Sequence, residues 1–381
     1  MREEKLKAII SGGGTGGHIF PAIAIGNALK NIHPSMEILF IGATGRMEME
    51  TVPKYGFKIL GLPVAGLQRG SLLKNLMLPV KVLLSLAGAR SIIQEFKPHV
   101  VVGVGGYASG PVLFVASMMR KPTLIQEQNS HAGITNKILG KRVDKICVAY
   151  DHMDKFFPAE KIMITGNPVR KDIRYLEGKK EEAIKYFKLN PGLRTLLVVG
   201  GSLGSRVINE SIRIQLEPIR QERIQVIWQT GKNYFSEYDA ALKGFDEKIK
   251  IMSFIDRMDL AYAVADVVIS RAGALSISEL CLASKASVLV PSPNVAEDHQ
   301  TKNAMALVNK EAALYVNDGD ALKDLVTTAL QLIKNEPLQQ RLRLNISKLA
   351  KPHADDAIAE EVMKLVHEGV SKPHRQIQSA F

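Results

Sequence analysis

The residues that could do chemistry in this chain follow abrupt changes from apolar runs to glycine. After the apolar residues 8–10, residues 12–17 read GGGTGG, and His18 then opens an apolar segment with helical spacing. This order predicts a strand, a glycine loop and a helix. Outward-facing N–H groups in such a loop and the partial positive charge of the helix start favour an anion. Phosphate or diphosphate binding is one interpretation, and a tight turn that packs a helix on a sheet is the other.

Two later segments repeat this opening. Residues 99–111 read HVVVGVGGYASGP, and residues 194–206 read RTLLVVGGSLGSR before a helical stretch. The first and third openings each lead a series of alternating strands and helices, which indicates two α/β, Rossmann-like domains with parallel sheets. We expect the first domain at residues 1–167 and the second at 168–350. The apolar spacing near the end predicts a last helix at about 353–368.

Polar side chains follow several of the predicted strands. In an open parallel sheet, ligands bind at the carboxyl ends of the strands. The strand after the second opening delivers Glu127 and Asn129 to that edge, and Ser202 follows the strand of the third opening. Glu279 lies on the first turns of a later helix, where a carboxylate either stabilises the helix end or accepts hydrogen bonds from a sugar diol. Gln300 stands near the start of another helix that follows a strand.

The glycine spacing also admits a dinucleotide. Gly12, Gly14 and Gly17 match the dinucleotide-binding fingerprint. A nicotinamide enzyme would place an acidic residue at the end of the next strand, roughly 20 residues on. Residues 42–45 read GATG there, and only Arg46 could meet a 2′-phosphate. The missing carboxylate argues against an oxidoreductase.

Composition describes an ordinary globular protein. The chain has 381 residues, of which 46% are hydrophobic and 23% charged, and this length favours two domains. Cys147 and Cys281 lie in apolar contexts without metal-type spacing, so we expect buried free thiols in a reducing compartment. The amino terminus does not resemble a secretion signal. We expect a protein that stays in the cytoplasm.

The net charge of +12 is unevenly distributed. Residues 69–121 hold seven basic side chains and one acidic side chain, and therefore contribute +6. The same segment includes a leucine-rich stretch at 72–86, interrupted by Lys74, Pro79 and Lys81. Its charges exclude a membrane span but suit contact with an anionic membrane surface. A buried helix with a solvated basic face is the alternative, and nucleic acid is a weaker one because no recognisable module is present.

Seven motifs, in unbroken order from residue 9 to about residue 303, resemble one known family. They are Gly14-Thr-Gly-Gly-His18, Gly103-Val-Gly-Gly-Tyr-Ala-Ser-Gly-Pro111, Glu127-Gln-Asn129, Gly166-Asn-Pro-Val-Arg170, Gly200-Gly-Ser202, Arg271-Ala-Gly-Ala-Leu-Ser-Ile-Ser-Glu279 and Asp298-His-Gln300. Each motif alone is weak, but their joint order is specific. The chain is similar to the MurG family, the bacterial undecaprenyl-diphospho-muramoyl-pentapeptide N-acetylglucosaminyltransferases.

The resemblance implies a GT-B architecture, in which two Rossmann-like domains face each other across a deep cleft and the last helix returns to the first domain. The first domain would take the acceptor and face the membrane, and the second would bind the UDP-sugar. The implied reaction moves N-acetylglucosamine from UDP-N-acetylglucosamine to the muramoyl 4-hydroxyl of lipid I, which gives lipid II with inversion. It implies a peripheral enzyme on the cytoplasmic side of the inner membrane, bound to an anionic membrane surface and not to nucleic acid.

The same resemblance implies a set of site residues. The substrate-binding positions are Thr15, Gly16, Gly17, Asn129, Arg170, Ser202, Ile255, Ala274, Leu275, Ser276, Ile277, Ser278, Glu279 and Gln300. The acceptor loop is Gly105, Gly106 and Tyr107. Glu279 would take the ribose hydroxyls, the backbone of Ile255 the uracil, and Gln300 the sugar hydroxyls.

An inverting transfer needs one base, and positive potential at the departing UDP. His18 is the candidate base, because the helix start beside it favours the neutral imidazole, and Glu127 is its rival. No Asp-x-Asp pair sits at a strand end, so we expect no metal and no cofactor, and a helix dipole at the leaving group.

One position pair departs from the family. Leu203 and Ser205 stand where Gln and Ala are usual, so a hydrogen bond from that Gln is absent here. Two further alternatives stay open: a GT-B transferase with another lipid or natural-product acceptor, and a non-catalytic nucleotide-sugar-binding protein.

Overall fold

The computed structural model describes residues 5–64, 78–201, 203–242, 246–295 and 298–371. Within it the chain divides into two compact units. Unit 1 is Met1–Pro168 with His353–Phe381, and unit 2 is Val169–Pro352. Each unit is built on its own parallel sheet, as the alternation of apolar runs and helical segments predicts.

Unit 1 holds a seven-stranded sheet in the order β3-β2-β1-β4-β5-β6-β7. Its strands are β1 (Lys7–Ser11), β2 (Glu37–Ala43), β3 (Lys58–Leu62), β4 (Val100–Gly103), β5 (Thr123–Glu127), β6 (Lys145–Val148) and β7 (Ile162–Ile164). Its helices are α1 (Gly16–Ile32), α2 (Met47–Lys54), α3 (Leu78–Phe96), α4 (Ser109–Met118), α5 (Ile134–Gly140) and α15 (Ala354–Ser371). Central strands are apolar on both faces because helices cover both sides of a parallel sheet; Ile9, Ile10, Val101 and Val102 are fully buried.

The last helix belongs to the core of unit 1. Ile358, Ala359 and Val362 of α15 are fully buried and pack in one cluster with Ile19 and Ile23 of α1. The apolar spacing of α15 is therefore used against α1.

Unit 2 holds a six-stranded sheet in the order β10-β9-β8-β11-β12-β13. Its strands are β8 (Arg194–Val199), β9 (Ile224–Gln229), β10 (Ile249–Met252), β11 (Val267–Ser270), β12 (Ala286–Leu289) and β13 (Leu314–Tyr315). Its helices are α6 (Lys180–Phe187), α7 (Arg206–Ile214), α8 (Leu216–Gln221), α9 (Phe235–Leu242), α10 (Met258–Val264), α11 (Ala274–Leu282), α12 (His299–Val308), α13 (Ala321–Lys334) and α14 (Glu336–Ser347).

The first strand of each unit lies at the point where the strand order reverses. β1 pairs in parallel with β2 and β4, and β8 pairs in parallel with β9 and β11. Ligands of open α/β sheets bind outside the carboxyl ends of the strands at such a point. The glycine loops that follow β1 and β8 therefore lie where a ligand is expected.

The charged stretch at residues 171–189, KDIRYLEGKKEEAIKYFKL, reads as helical from its sequence, and this expectation needs correction. The charged segment after Arg170 is not one helix: a short 3₁₀ helix, Lys171–Arg174, is separated from α6 by a turn at Gly178, whose φ is +77°. Glycine enters that left-handed region without a steric cost, so the chain can turn there before α6 begins. The two-residue strand β13 is too short to leave a sequence pattern.

The leucine-rich stretch is described only in part. Residues 72–77 lie outside the described residues, and α3 begins at Leu78. Among the described helices, none is both long and apolar enough to cross a membrane.

Candidate active site

The first glycine loop joins β1 to α1 and positions His18. Thr15 is the N-cap residue of α1, and Gly16 and Gly17 form its first turn. The Thr15 hydroxyl makes no cap hydrogen bond, and its Oγ1 instead lies 3.2 Å from His18 Nδ1. The imidazole is therefore held by its Nδ1 side, close to the helix start.

A buried carboxylate that the sequence did not indicate lies beneath this loop. Glu48 of α2 is fully buried, and its two oxygens accept hydrogen bonds from Gly14 N and Ala43 N, each at 2.9 Å. A Cβ at Gly13 would lie 2.2 Å from Glu48 Oε1, so the loop and the carboxylate are in close contact. The Gly14 N–H thus points to Glu48 and is not presented to a phosphate.

The second glycine loop, after β4, packs directly on the first. Gly105 and Gly106 have φ of +87° and +83°, and a Cβ at Gly106 would lie 2.4 Å from Gly13 O. A Cβ at Gly105 would lie 3.0 Å from His18 Nε2. Only glycine fits this approach. Tyr107, next in the loop, is 60% exposed.

Glu127 ends β5 and is surrounded by hydrogen-bond donors. Its Oε1 accepts from Asn129 N at 3.0 Å and Asn129 Nδ2 at 3.2 Å. Its Oε2 accepts from Gly133 N at 3.0 Å and Asn136 Nδ2 at 2.9 Å. The carboxylate is 2% exposed, and it organises the turn that follows the strand.

In unit 2, the glycine loop after β8 is fitted against the loop after β9. A Cβ at Gly204 would lie 2.1 Å from Thr230 O. Ser205 is the N-cap of α7, and its hydroxyl accepts from Ile208 N at 3.3 Å. Leu203 is 69% exposed. Ser202 itself lies outside the described residues.

A second residue that the sequence did not indicate, Gln229, connects two predicted donor segments. It is 3% exposed at the end of β9. Its Nε2 donates to Gly201 O at 3.0 Å, and its Oε1 accepts from Ile255 N at 3.0 Å. The Ile255 N–H is therefore bonded within the protein.

α11 begins immediately after β11 and carries the residues from Ala274 to Glu279. Gly273 is its N-cap, Ile277 is buried, and the Ser278 hydroxyl donates back to Ala274 O at 3.0 Å. Glu279, on the second turn, is partly buried. Burial raises the pKa of Glu279 to about 7, against the opposing effects of Arg170 and of a hydrogen bond from Tyr262.

Arg170 approaches Glu279 from the segment that begins unit 2. Its Nη1 donates to Asp256 O at 3.4 Å, and its Nε lies 3.5 Å from Asp172 Oδ1. The buried Nε and Nη2 atoms have no hydrogen-bond partner among the described residues. Such donors are costly unless a ligand or water satisfies them.

Two further residues of the predicted motifs, at the carboxyl edge of the unit 2 sheet, make hydrogen bonds with the backbone. Gln300, on the first turn of α12, accepts from Ser292 N through its Oε1 at 2.9 Å. Arg271 donates through Nη1 to Val290 O and Pro291 O, each at 3.1 Å, and pairs with Asp318. Arg271 thereby connects the end of β11 to the loop after β12.

The predicted residues thus form two groups, one in each unit. In unit 1, the glycine loops bring Thr15, Gly16, Gly17, His18, Gly105, Gly106 and Tyr107 together at the carboxyl edge, to which β5 also delivers Glu127 and Asn129. In unit 2, α11 and the segment at Arg170 join beside Glu279. Glu48, Gln229 and Tyr262 were missed, because their signals are long-range contacts and not local motifs.

Fold and site together define a glycosyltransferase. The family model described as "Glycosyltransferase family 28 N-terminal domain" matches residues 8–148. The model described as "Glycosyltransferase family 28 C-terminal domain" matches residues 195–359. The chain belongs to glycosyltransferase family 28.

The chain is also similar over almost its whole length to individual proteins of this family. The chain is 56% identical to a protein of Parabacteroides distasonis over 95% of this chain and 99% of that protein. It is 55% identical to one of Phocaeicola vulgatus over 95% and 97%. Both are named UDP-N-acetylglucosamine--N-acetylmuramyl-(pentapeptide) pyrophosphoryl-undecaprenol N-acetylglucosamine transferase. Among solved structures, Acinetobacter baumannii MurG aligns with a TM-score of 0.75 and 27% identity, covering 95% of this chain and all of that one.

Proposed function

We infer that this chain transfers N-acetylglucosamine from UDP-N-acetylglucosamine to the muramoyl 4-hydroxyl of lipid I, forming lipid II for peptidoglycan. The observation that carries this inference is the identity of 56% with a transferase of that name, spread over 95% of the chain. The bonding of the site residues supports it and suggests a role for each of them.

Unit 2 is the proposed donor-binding unit. Glu279 accepts the ribose hydroxyls, Arg170 supplies the N–H groups of its Nε and Nη2 atoms, and Ile255 offers its carbonyl to the uracil. Ser202, Gln300 and residues 274–278 complete the donor contacts that we propose here. In unit 1, Thr15, Gly16, Gly17 and Asn129 are the proposed substrate-binding residues, and Gly105, Gly106 and Tyr107 form the proposed acceptor loop.

His18 is a better base than Glu127. A carboxylate has about four acceptor positions, and Glu127 already has four donors. To accept a proton from substrate it would have to give up a buried hydrogen bond. In the tautomer whose Nδ1–H donates to Thr15 Oγ1, the lone pair of His18 Nε2 is the basic one.

The proposed step balances as a single displacement. The 4-hydroxyl oxygen attacks the anomeric carbon while its proton passes to His18 Nε2. The bond between that carbon and the diphosphate oxygen breaks, and UDP leaves with the electron pair. The amino-terminal end of α11 faces the carboxyl edge of the unit 2 sheet, and its dipole stabilises the departing negative charge.

A transfer assay tests this function. Labelled UDP-N-acetylglucosamine is incubated with a short-chain lipid I analogue, and with an analogue whose muramoyl 4-hydroxyl is replaced by hydrogen. Label should move to the first analogue alone. Tight UDP binding without transfer to lipid I would reject the acceptor but keep the donor site.

Peripheral membrane binding is part of this proposal. The first turns of α3 expose four apolar side chains around Lys81, namely Val80, Val82, Leu83 and Leu84, which are 44 to 67% exposed. An apolar face beside basic charge suits the cytoplasmic surface of an anionic membrane.

Vesicle sedimentation tests this part. We expect the chain to sediment with anionic vesicles and to be released by high salt. Leu83→Glu should weaken sedimentation, whereas Leu344→Glu, at a site 61% exposed in unit 2, should not. Equal sedimentation of all three proteins would reject the α3 surface.

A further inference from the structure

We propose that Tyr262 is a positioning residue for donor binding, which holds Glu279 in the orientation and charge state that a ribose diol requires. This inference rests on the proposed function of unit 2. It assigns a role to a residue that lies outside every motif in the sequence.

The contact joins a buried hydroxyl to a partly buried carboxylate. Tyr262 lies on α10 and is 2% exposed, and its hydroxyl donates to Glu279 Oε2 at 3.1 Å. Among the described residues, this hydroxyl is the one hydrogen-bond donor to the Glu279 carboxylate. The bond restrains the position of one carboxylate oxygen.

The remaining acceptor positions match the ligand. A carboxylate offers about four acceptor positions, and Tyr262 occupies one of them. The two hydroxyls of a ribose cis-diol need two more. Glu279 can therefore hold Tyr262 and both hydroxyls together, whereas Glu127 has no position left.

The groups that act on the Glu279 carboxyl come from three places. They are the Tyr262 hydroxyl on α10, the guanidinium of Arg170, and the carboxylate of Asp172 in the 3₁₀ helix. Burial favours the neutral acid, while Arg170 and Tyr262 favour the ionised form. Because burial is the largest effect, the pKa of Glu279 rises to about 7. Loss of the tyrosine hydroxyl would raise that pKa further.

Donor binding should therefore depend on pH through Glu279. The ionised carboxylate accepts two ribose hydroxyls well, and the protonated one loses part of that capacity. Affinity for UDP should fall as the pH drops through about 7. In Tyr262→Phe the same fall should be centred about one pH unit higher, because a hydrogen bond to a charged group has been removed.

The experiment is UDP binding by calorimetry from pH 6 to pH 9, with the full-length chain. Four proteins are compared: the native chain, Tyr262→Phe, Glu279→Gln and Tyr238→Phe. Tyr238 is the matched control, since it is 1% exposed in the same unit and its hydroxyl also donates to a glutamate, Glu210, at 3.3 Å. Removal of one oxygen atom leaves the ring packing in place in both tyrosine variants.

We expect Tyr262→Phe to bind UDP 3- to 10-fold more weakly at pH 7 and nearly normally at pH 9. Glu279→Gln should bind weakly with no transition near pH 7, and Tyr238→Phe should follow the native curve. An unmoved midpoint in Tyr262→Phe, or an equal shift in Tyr238→Phe, would overturn the inference while leaving the proposed function intact. A native chain that does not bind UDP at any pH would overturn both.

Discussion

Glu127 and Glu279 both lie at the carboxyl edge of a parallel sheet, yet their carboxylates accept very different numbers of hydrogen bonds. Glu127 accepts four hydrogen bonds from its own turn. Glu279 accepts one, from Tyr262, and burial raises its pKa to about 7. A saturated carboxylate supports structure, whereas an unsaturated one keeps acceptor positions for a ligand. Both roles occur at the edge of a sheet, so position alone does not distinguish them. The number of hydrogen-bond donors around the carboxylate does distinguish them.

Loss of the proposed base should have the largest effect on the reaction. His18→Ala should reduce kcat by about 10²- to 10⁴-fold, the usual contribution of a general base. The KM for the donor should stay nearly constant, because the donor residues of unit 2 are untouched. Steady-state kinetics measures this, with thermal unfolding as the control for folding. A His18→Ala enzyme within tenfold of the native kcat would move the base role elsewhere.

Loss of a saturated carboxylate should act through stability. Glu127→Gln replaces one carboxylate oxygen by an amide NH₂. That NH₂ would face groups from which Glu127 now accepts hydrogen bonds, such as Gly133 N or Asn136 Nδ2. We expect a loss of about 3 kcal/mol in the free energy of unfolding, since buried donors lose their partner. Urea denaturation measures it. Native stability with no activity would instead indicate a catalytic carboxylate.

Glu48→Gln should have a smaller effect of the same kind. One of the two bonds to Gly14 N and Ala43 N would be replaced by a donor–donor contact, which costs about 2 kcal/mol. Because Gly14 precedes Thr15, kcat should fall along with stability. Urea denaturation and initial rates on the same sample would separate the two effects. An unchanged unfolding midpoint would show that the bonds to Glu48 do not hold the loop.

Unlike the two preceding substitutions, Glu279→Gln should increase the free energy of unfolding at alkaline pH. The pKa of Glu279 in the folded chain is raised from 4.5 to about 7, so the folded state binds this proton more tightly than the unfolded state. Stability from this group is full below about pH 4.5 and is lost as the pH rises through about 7. Glu279→Gln avoids that loss and should be more stable at pH 8.

The expected gain is about 1–2 kcal/mol, less than the full shift would give, because the side chain keeps some contact with water. The same variant should bind UDP more than tenfold more weakly. Thermal unfolding at pH 5 and pH 8 measures the gain, which should be present only at pH 8. A destabilised variant at pH 8 would place Glu279 with Glu127 as a structural carboxylate.

Sequence reasoning reached the fold because its signals are local. Buried parallel strands such as β4 and β8 read as short apolar runs, and glycines with positive φ mark the turns after them. The same logic selected His18 and Glu279 as candidate site residues. It failed at Gly178, where one glycine interrupts a pattern with good helical spacing, and at β13, which has two residues.

The chemistry of the site was harder to predict, because it depends on which side chains meet. Glu48 contacts a loop 34 positions away in the chain, Gln229 contacts Ile255 26 positions away, and Tyr262 contacts Glu279 17 positions away. None of these pairs lies within one element, so periodicity carries no signal of them. Glu127 read as a catalytic candidate because the four donors around it become visible only in the folded turn.

The most direct test of the account is one kinetic comparison of His18→Ala with Glu279→Gln at pH 8, with UDP-N-acetylglucosamine varied at saturating lipid I analogue. We predict a low kcat with a nearly native donor KM for His18→Ala, and a donor KM raised at least tenfold with a smaller change in kcat for Glu279→Gln. The reverse pattern, or the same change in both variants, would contradict the division between a base in unit 1 and a donor carboxylate in unit 2.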